Sequence, residues 1–226
     1  MIITLTLENY LDLTTVGNYA TKPKESRPLL EGILLTNIEY KNNANATVKA
    51  IKATCTDSYR MAQVTRDAFI SESINTGVII PAIETVELLV PADLMLRAAK
   101  AFRASNKSYR AKGYASATEV NLKTDGNTIT ITCKDETLGG SLIPGNYPKV
   151  EQLIPAANGI HESSAIGLDP EFLADVAKIA PFSDKTKDSR SRAIKVAAIN
   201  DNVKPVLFED VSGLTRVVLM PVRIVA

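Results

Sequence analysis

Six cations, Arg97, Lys100, Arg103, Lys107, Arg110 and Lys112, follow one another at steps of two to four residues. The first three recur every third residue, a spacing that on a helix stacks side chains into one stripe. Leu94, Met95, Ala98, Ala99 and Phe102 form the opposite face, so one side packs on a sheet while the other offers positive charge. Such a stripe suits non-specific contact with a phosphate backbone, which needs charge but no base-reading geometry. A plain solvated face is the other use of the same pattern. The second grouping is apolar. The tail reads Val217-Val218-Leu219-Met220-Pro221-Val222-Arg223-Ile224, and a terminus of this composition needs a sheet to dock on or a ligand to cover it. Leu, Met, Val and Pro make an adaptable lining for a ligand. An arginine at 60 or 223 could meet a peptide carbonyl or carboxylate there, or Arg60 could pair with Asp57.

Residues for covalent or metal chemistry are missing. The one histidine, His161, lies in a loop-like stretch, and no His/Cys cluster has zinc spacing. Leu138-Gly139-Gly140 is too short for a phosphate loop, and Asp57 alone cannot anchor two-metal chemistry. A binding protein without cofactors is expected, not an enzyme.

The elements that must position these groups read as one pattern three times over: strand, helix, then several strands. The first unit starts with a strand at Ile2–Leu7, a helix over Glu8–Ala20, and strands near Gly32–Tyr40, Thr47–Thr54 and Arg60–Thr65. The second has a strand at Thr85–Val90, a helix over Ala92–Ala104, and strands near Ala117–Lys123, Thr128–Lys134 and Leu138–Ile143, with a hairpin turn at Asp125-Gly126. The third starts near Ser164–Leu168. Asp169 then caps a helix with Pro170 at its first position and Phe172, Leu173, Val176, Ile179 and Ala180 on one face. Its strands lie near Arg192–Ile199, Pro205–Phe208 and Arg216–Val222. The stretch Gly145–Glu162 holds Pro148, Pro155 and Gly159 and reads as a linker, which divides the chain into residues 1–156 and 157–226. The class is α+β.

Bulk properties agree with this. The 226 residues are 45% apolar with a net charge of +1, which describes a globular chain and neither demands nor excludes nucleic acid. No long apolar run suggests a membrane span, and the alternating N-terminus lacks the basic start of a signal peptide. Cys55 and Cys133 lie in strand patterns and read as buried, reduced thiols, so a cytoplasmic location is expected.

Four stretches occur in order: Arg27-Pro28-Leu29-Leu30, Thr56-Asp57-Ser58-Tyr59-Arg60-Met61-Ala62, Gly145-Asn146-Tyr147-Pro148 with Ile154-Pro155, and the Met220-Pro221-Val222-Arg223-Ile224 tail. Together they resemble the Arg-Pro-x-Leu, Thr-Asp-x-x-Arg-Leu-Ala and Met-Pro-x-Arg-[Leu/Ile] signatures of the bacterial DNA polymerase III β sliding clamp. The resemblance covers residues 20–155, similar to most of that family's middle domain, and 164–226, similar to the second half of its last domain. It implies a clamp-like fold of such units and a processivity factor that encircles DNA as a homo-oligomer. A family ring uses twelve units, and four chains of three would match that count.

The resemblance also implies a hydrophobic pocket for short peptides of DNA polymerase and other proteins with a clamp-binding motif, and a clamp loader as a further partner. Carried over by position, the pocket comprises Leu30, Thr56, Ser58, Tyr59, Arg60 and Met61, then Pro155, Val218, Met220, Pro221, Val222 and Arg223. Ser58 and Tyr59 stand where the family has Gly-His, and Met61 where it has Leu, so a different peptide preference is implied. Double-stranded DNA would face Arg97, Lys100, Arg103 and Lys107, held weakly. The other two helices read as acidic on their open faces, through Glu8 and Asp12 and through Glu171 and Asp175 beside Lys178; near the third, cations lie at Lys185, Lys187, Arg190 and Arg192. That unevenness keeps an alternative in play, a clamp-like peptide-binding module or decoy that does not encircle DNA. A compact clamp would suit a phage or mobile element carrying its own replication factor.

Overall fold

The computed structural model describes residues 1–21, 27–42, 44–73, 79–81, 85–107, 117–156, 159–160, 166–183, 192–199 and 204–222. Strand β1 (Ile2–Thr6) runs directly into helix α1 (Leu7–Thr14), because Thr6 is extended and its hydroxyl accepts the Asn9 amide at 3.1 Å. The sequence predicts this helix to continue to Ala20. Instead it gives way to a 3₁₀ turn over Thr15–Tyr19. The run Thr14-Thr15-Val16 is β-branched and Gly17 follows, all poor helix formers. The Thr14 and Thr15 hydroxyls also donate back to the carbonyls of Leu11 and Asp12. The tighter turn sends Val16 and Tyr19 fully into the core.

A meander follows: β2 (Gly32–Lys41), β3 (Thr47–Thr56) and β4 (Arg60–Asp67), then β5 (Phe69–Ser73) and β6 (Ile79–Pro81). Next come β7 (Glu87–Pro91), α2 (Ala92–Ser105), β8 (Glu119–Asp125), β9 (Thr128–Cys133) and β10 (Glu136–Ser141). Gly126, with φ +56°, makes the β8–β9 hairpin turn as expected. The remaining elements are β11 (Gly159–Ile160), α3 (Pro170–Val176), β12 (Lys195–Ile199), β13 (Val206–Glu209) and β14 (Thr215–Leu219). Asp169 caps α3, accepting the amides of Glu171 at 2.8 Å and Phe172 at 3.4 Å. The expected strand at Ser164–Leu168 is represented by a single bridge from Gly167 to Val222; residues 161–165 lie outside the described residues.

The fold is α+β. One sheet has the order β10-β9-β8-β1-β5-β6 and the other β11-β12-β13-β14-β4-β3-β2-β7, antiparallel apart from the β11–β12 pair. The first strand of each early unit sits in the other unit's sheet: β1 pairs with β8, and β7 pairs with β2. This exchange brings α1 and α2 side by side, with the Tyr10 and Phe102 rings 5.7 Å apart and the Tyr10 hydroxyl donating to the Met95 carbonyl at 3.0 Å. One apolar core joins α1, α2, the end of α3 and the inner face of the larger sheet. Val176 and Ile179 are buried there as predicted, with Ala180 buried beside them and Phe172 packed against the core from the start of α3, whereas Leu173 is exposed.

A smaller apolar cluster lies on the outer face of the larger sheet, where Tyr147 and Val150 of the linker cover Leu30, Met61, Leu207 and Val218. Glu151 pins this linker down by accepting from Gln63 at 2.8 Å and pairing with Lys52. Burial alone would raise the Glu151 carboxyl, but these donors hold it below its ordinary range.

Candidate functional site

The tail is sewn to the strand that carries the Thr56–Ala62 signature. β14 pairs antiparallel with β4, setting Val218 opposite Met61 and Leu219 opposite Arg60. Val217 and Leu219 point into the main core, while Val218 points to the outer cluster, as strand alternation requires. Beyond β14 the Met220 amide donates to the Tyr59 carbonyl at 2.9 Å, and the Val222 amide to the Gly167 carbonyl at 2.9 Å.

The turn between β3 and β4 is built by its own side chains. Asp57 Oδ1 accepts the amides of Tyr59 and Arg60, both at 3.0 Å, and Thr56 Oγ1 accepts that of Ser58 at 3.1 Å. Ser58 has φ +83°, the region that favours the glycine found there in the resembled signature. Arg27 donates to its hydroxyl at 2.7 Å.

The sequence-predicted pocket residues differ in exposure, and Arg60 among them is half-buried. Leu30, Thr56, Met61 and Val218 are buried at the seam. Tyr59, at 61% exposure, Met220, at 38%, and Val222 are open to solvent, as is Ser58, while Pro155 and Pro221 are half-buried. Arg223 lies outside the described residues. A cavity of about 270 Å³ opens beside Pro155, lined by Glu151, Ile154, Leu207, Glu209 and Arg216. It runs from Leu207, in the Leu207–Val218–Met61 row, to the row two residues along the sheet, where Arg216 Nε donates to Glu209 at 3.1 Å.

Sequence reasoning missed the contribution of α3. Phe172 lies 6.4 Å from the Tyr59 ring, and Leu173 is exposed on the same helix. The three-residue spacing of Phe172 and Asp175 is the signal that places both on one helix face. Arg60 pairs with Asp57 at 2.8 Å, as one reading of the sequence expects, and also with Asp175. Asp175 therefore does not belong to an open acidic stripe. Burial alone would raise its carboxyl, but donors from Lys178 and Arg60 hold it below the ordinary carboxylate range. Asp12 is likewise taken up by Arg66 at 2.8 Å.

Arg97, Lys100 and Arg103 on α2 and Lys107 just past its end are all exposed, and Arg97 pairs with Asp93 at 3.2 Å. Arg110, Lys112, Lys185, Lys187, Arg190 and His161 lie outside the described residues. Cys55 and Cys133 are free and buried, and burial pushes the Cys55 thiol up to about 12. Among the described residues, no group of three or more His, Cys, Asp or Glu is arranged to hold a metal, and no helix is long and apolar enough to cross a membrane.

By sequence, no family model and no curated protein matches the chain. Solved structures do. The Caulobacter crescentus β sliding clamp superposes with a TM-score of 0.67 at 16% identity, over 99% of this chain and 65% of its own. A Pseudomonas aeruginosa DNA polymerase sliding clamp gives 0.67 at 14% identity, over 99% and 66%. The DNA polymerase III β chain of Streptococcus pneumoniae gives 0.66 at 14% identity, over 98% and 64%. The chain has the sliding-clamp fold. The match takes in β1 and α1, which carry no signature, and this clamp-fold chain spans about two thirds of the length of those neighbours. At this level of identity the likeness speaks for the fold alone.

Proposed function

We propose that this protein is a sliding-clamp processivity factor. It closes as a homo-oligomer around double-stranded DNA, and its β4–β14 seam captures short peptides of a DNA polymerase and of other proteins with a clamp-binding motif. A clamp loader would place it on DNA in the cytoplasm. One observation carries the reading: in a chain of clamp fold, the tail strand pairs with the strand bearing the Thr56–Ala62 signature, so that exposed Met220 adjoins exposed Tyr59. Charge supports it. The exposed cations of α2 suit a phosphate backbone, and Asp12 and Asp175, which would repel DNA if open, are neutralised within the chain. The protein holds DNA without cleaving it, and the contact is weak and salt-sensitive, as sliding requires. The division near residue 156 separates two stretches of sequence, residues 1–156 and 157–226, which the β14–β4 pair joins in one sheet.

A second reading is a peptide-binding module or decoy that does not encircle DNA. The carboxylates of Glu8 and Glu171, which stay exposed on α1 and α3, favour it. The peptide site itself is tested by fluorescence titration with overlapping labelled peptides spanning a bacterial DNA polymerase III polymerase subunit. At least one peptide should bind, and Met220→Ala with Pro221→Ala should weaken it by more than about tenfold while leaving the unfolding midpoint in place. Unchanged affinity in the double variant would overturn the site.

A further inference from the structure

Arg60 has the most fully occupied side chain on the seam, and none of its partners in the structure needs a ligand. Its guanidinium carbon lies 4.6 Å from the ring centroid of Tyr19 and 4.6 Å from that of Phe172. Nε donates to Asp57 Oδ2 at 2.8 Å, and Nη1 donates to Asp175 Oδ2. These partners come from three separate segments: the 3₁₀ turn after α1, the β3–β4 turn, and α3. Asp57 uses its second oxygen on the amides of Tyr59 and Arg60, and the Tyr59 carbonyl holds the Met220 amide. A continuous series of contacts thus runs from α3 through Arg60 and Asp57 to Tyr59 and the tail.

We infer that Asp175 is a positioning residue of the peptide site, which acts through Arg60 to hold α3 against the Tyr59 turn so that Phe172, Tyr59 and Met220 present one apolar surface. The inference rests on the peptide-binding reading for its function, and on the contacts alone for its geometry. Asp175 touches no peptide itself. Its carboxylate has one strong role at Arg60 and one at Lys178, whose ammonium lies 2.5 Å away but whose side chain is mostly exposed. Of the two pairs only the one with Arg60 reaches the turn.

The test uses Asp175→Asn, with Asp175→Glu as the conservative variant and Lys178→Ala as the control. Hydrogen exchange is read first, without peptide. In Asp175→Asn the amides of Tyr59, Arg60 and Met220 should exchange at least about fivefold faster, and those of α2 should not change. Equal rates at the turn would overturn the inference whether or not peptides bind. Affinity is read second, with the polymerase-subunit peptide that binds the wild type best. Asp175→Asn should weaken it about tenfold, Asp175→Glu should recover part of that, and Lys178→Ala should leave it unchanged. In a Tyr59→Ala background the Asp175→Asn change should add almost nothing, because its effect passes through the placement of that ring. Full additivity would assign Asp175 to general stability and overturn the positioning role. If no peptide binds the wild type while the exchange result holds, the peptide reading fails and the geometric linkage stands.

Discussion

Replacing Arg60 with Ala removes a cation that lies between two rings and bonds two carboxylates. A cation–ring contact contributes about 0.5–2 kcal/mol, more as it is desolvated, and a hydrogen bond to a charged group about 1.5–3 kcal/mol. Part of that is offset, because neither acid is left bare. Asp57 keeps the amides of residues 59 and 60, and Asp175 keeps Lys178. The side chains are also not wholly dry, with Arg60 14% exposed and Asp175 19%. A net loss of about 3–5 kcal/mol follows, the range for removing one member of a largely buried pair. Urea unfolding should show it as a lower midpoint with the slope unchanged. Lysine at position 60 should recover less than half, since an ammonium cannot lie flat between two rings while forking to two acids. A loss below about 1 kcal/mol would put Arg60 among ordinary surface pairs and refute the account of the seam.

Three other predictions concern the lowered carboxyls, the linker and the main core. Glu151 and Asp175 both have lowered carboxyl values, so their contribution is complete above the unfolded carboxylate range and lost as pH falls through the lower folded values. Stability should therefore be flat from neutrality to about pH 5 and fall below about pH 4, less steeply in Glu151→Gln; a fall beginning above pH 6 would contradict this. Gly145→Ala places a side chain at φ +119° with its Cβ 2.9 Å from Leu29, so it should cost about 1–3 kcal/mol and loosen the linker, measured as faster proteolysis near residue 150. Cys55 should resist a thiol reagent at pH 8 on the native protein until denaturant is added, because burial keeps it neutral as well as covered; rapid native labelling at Cys55 would show the main core to be open.

Much of the fold was legible along the chain. Alternation located β2, β3, β4, β8 and β9 closely, and Asp169-Pro170 marked the start of α3 because cap and first-turn chemistry are local. The end of α1 was not legible from periodicity, since Val16 and Tyr19 are as apolar as a continuing helix needs; the back-bonding threonines decide it. β5 escaped because Phe69–Ser73 becomes a strand only by reaching β1, with Phe69 opposite Thr4. The seam was legible through the order of the signatures, which placed the tail beside Tyr59. The pairing of Arg60 with Asp175, 115 residues away, was not, because helix spacing shows which residues share a face and not what that face meets. Reading Asp175 as open acid was the natural result.

The central claim is that copies of this chain close around duplex DNA. The direct measurement is retention on a nicked circular plasmid during gel filtration at about 0.5 M salt, where exposed charge contacts are screened, after loading by a clamp loader. The account predicts that the protein stays with the circle as an oligomer and is released when a restriction enzyme linearises the plasmid. A 24.4 kDa monomer that elutes apart from the circle under loading conditions, or one that stays bound equally to circular and linear DNA, would contradict it.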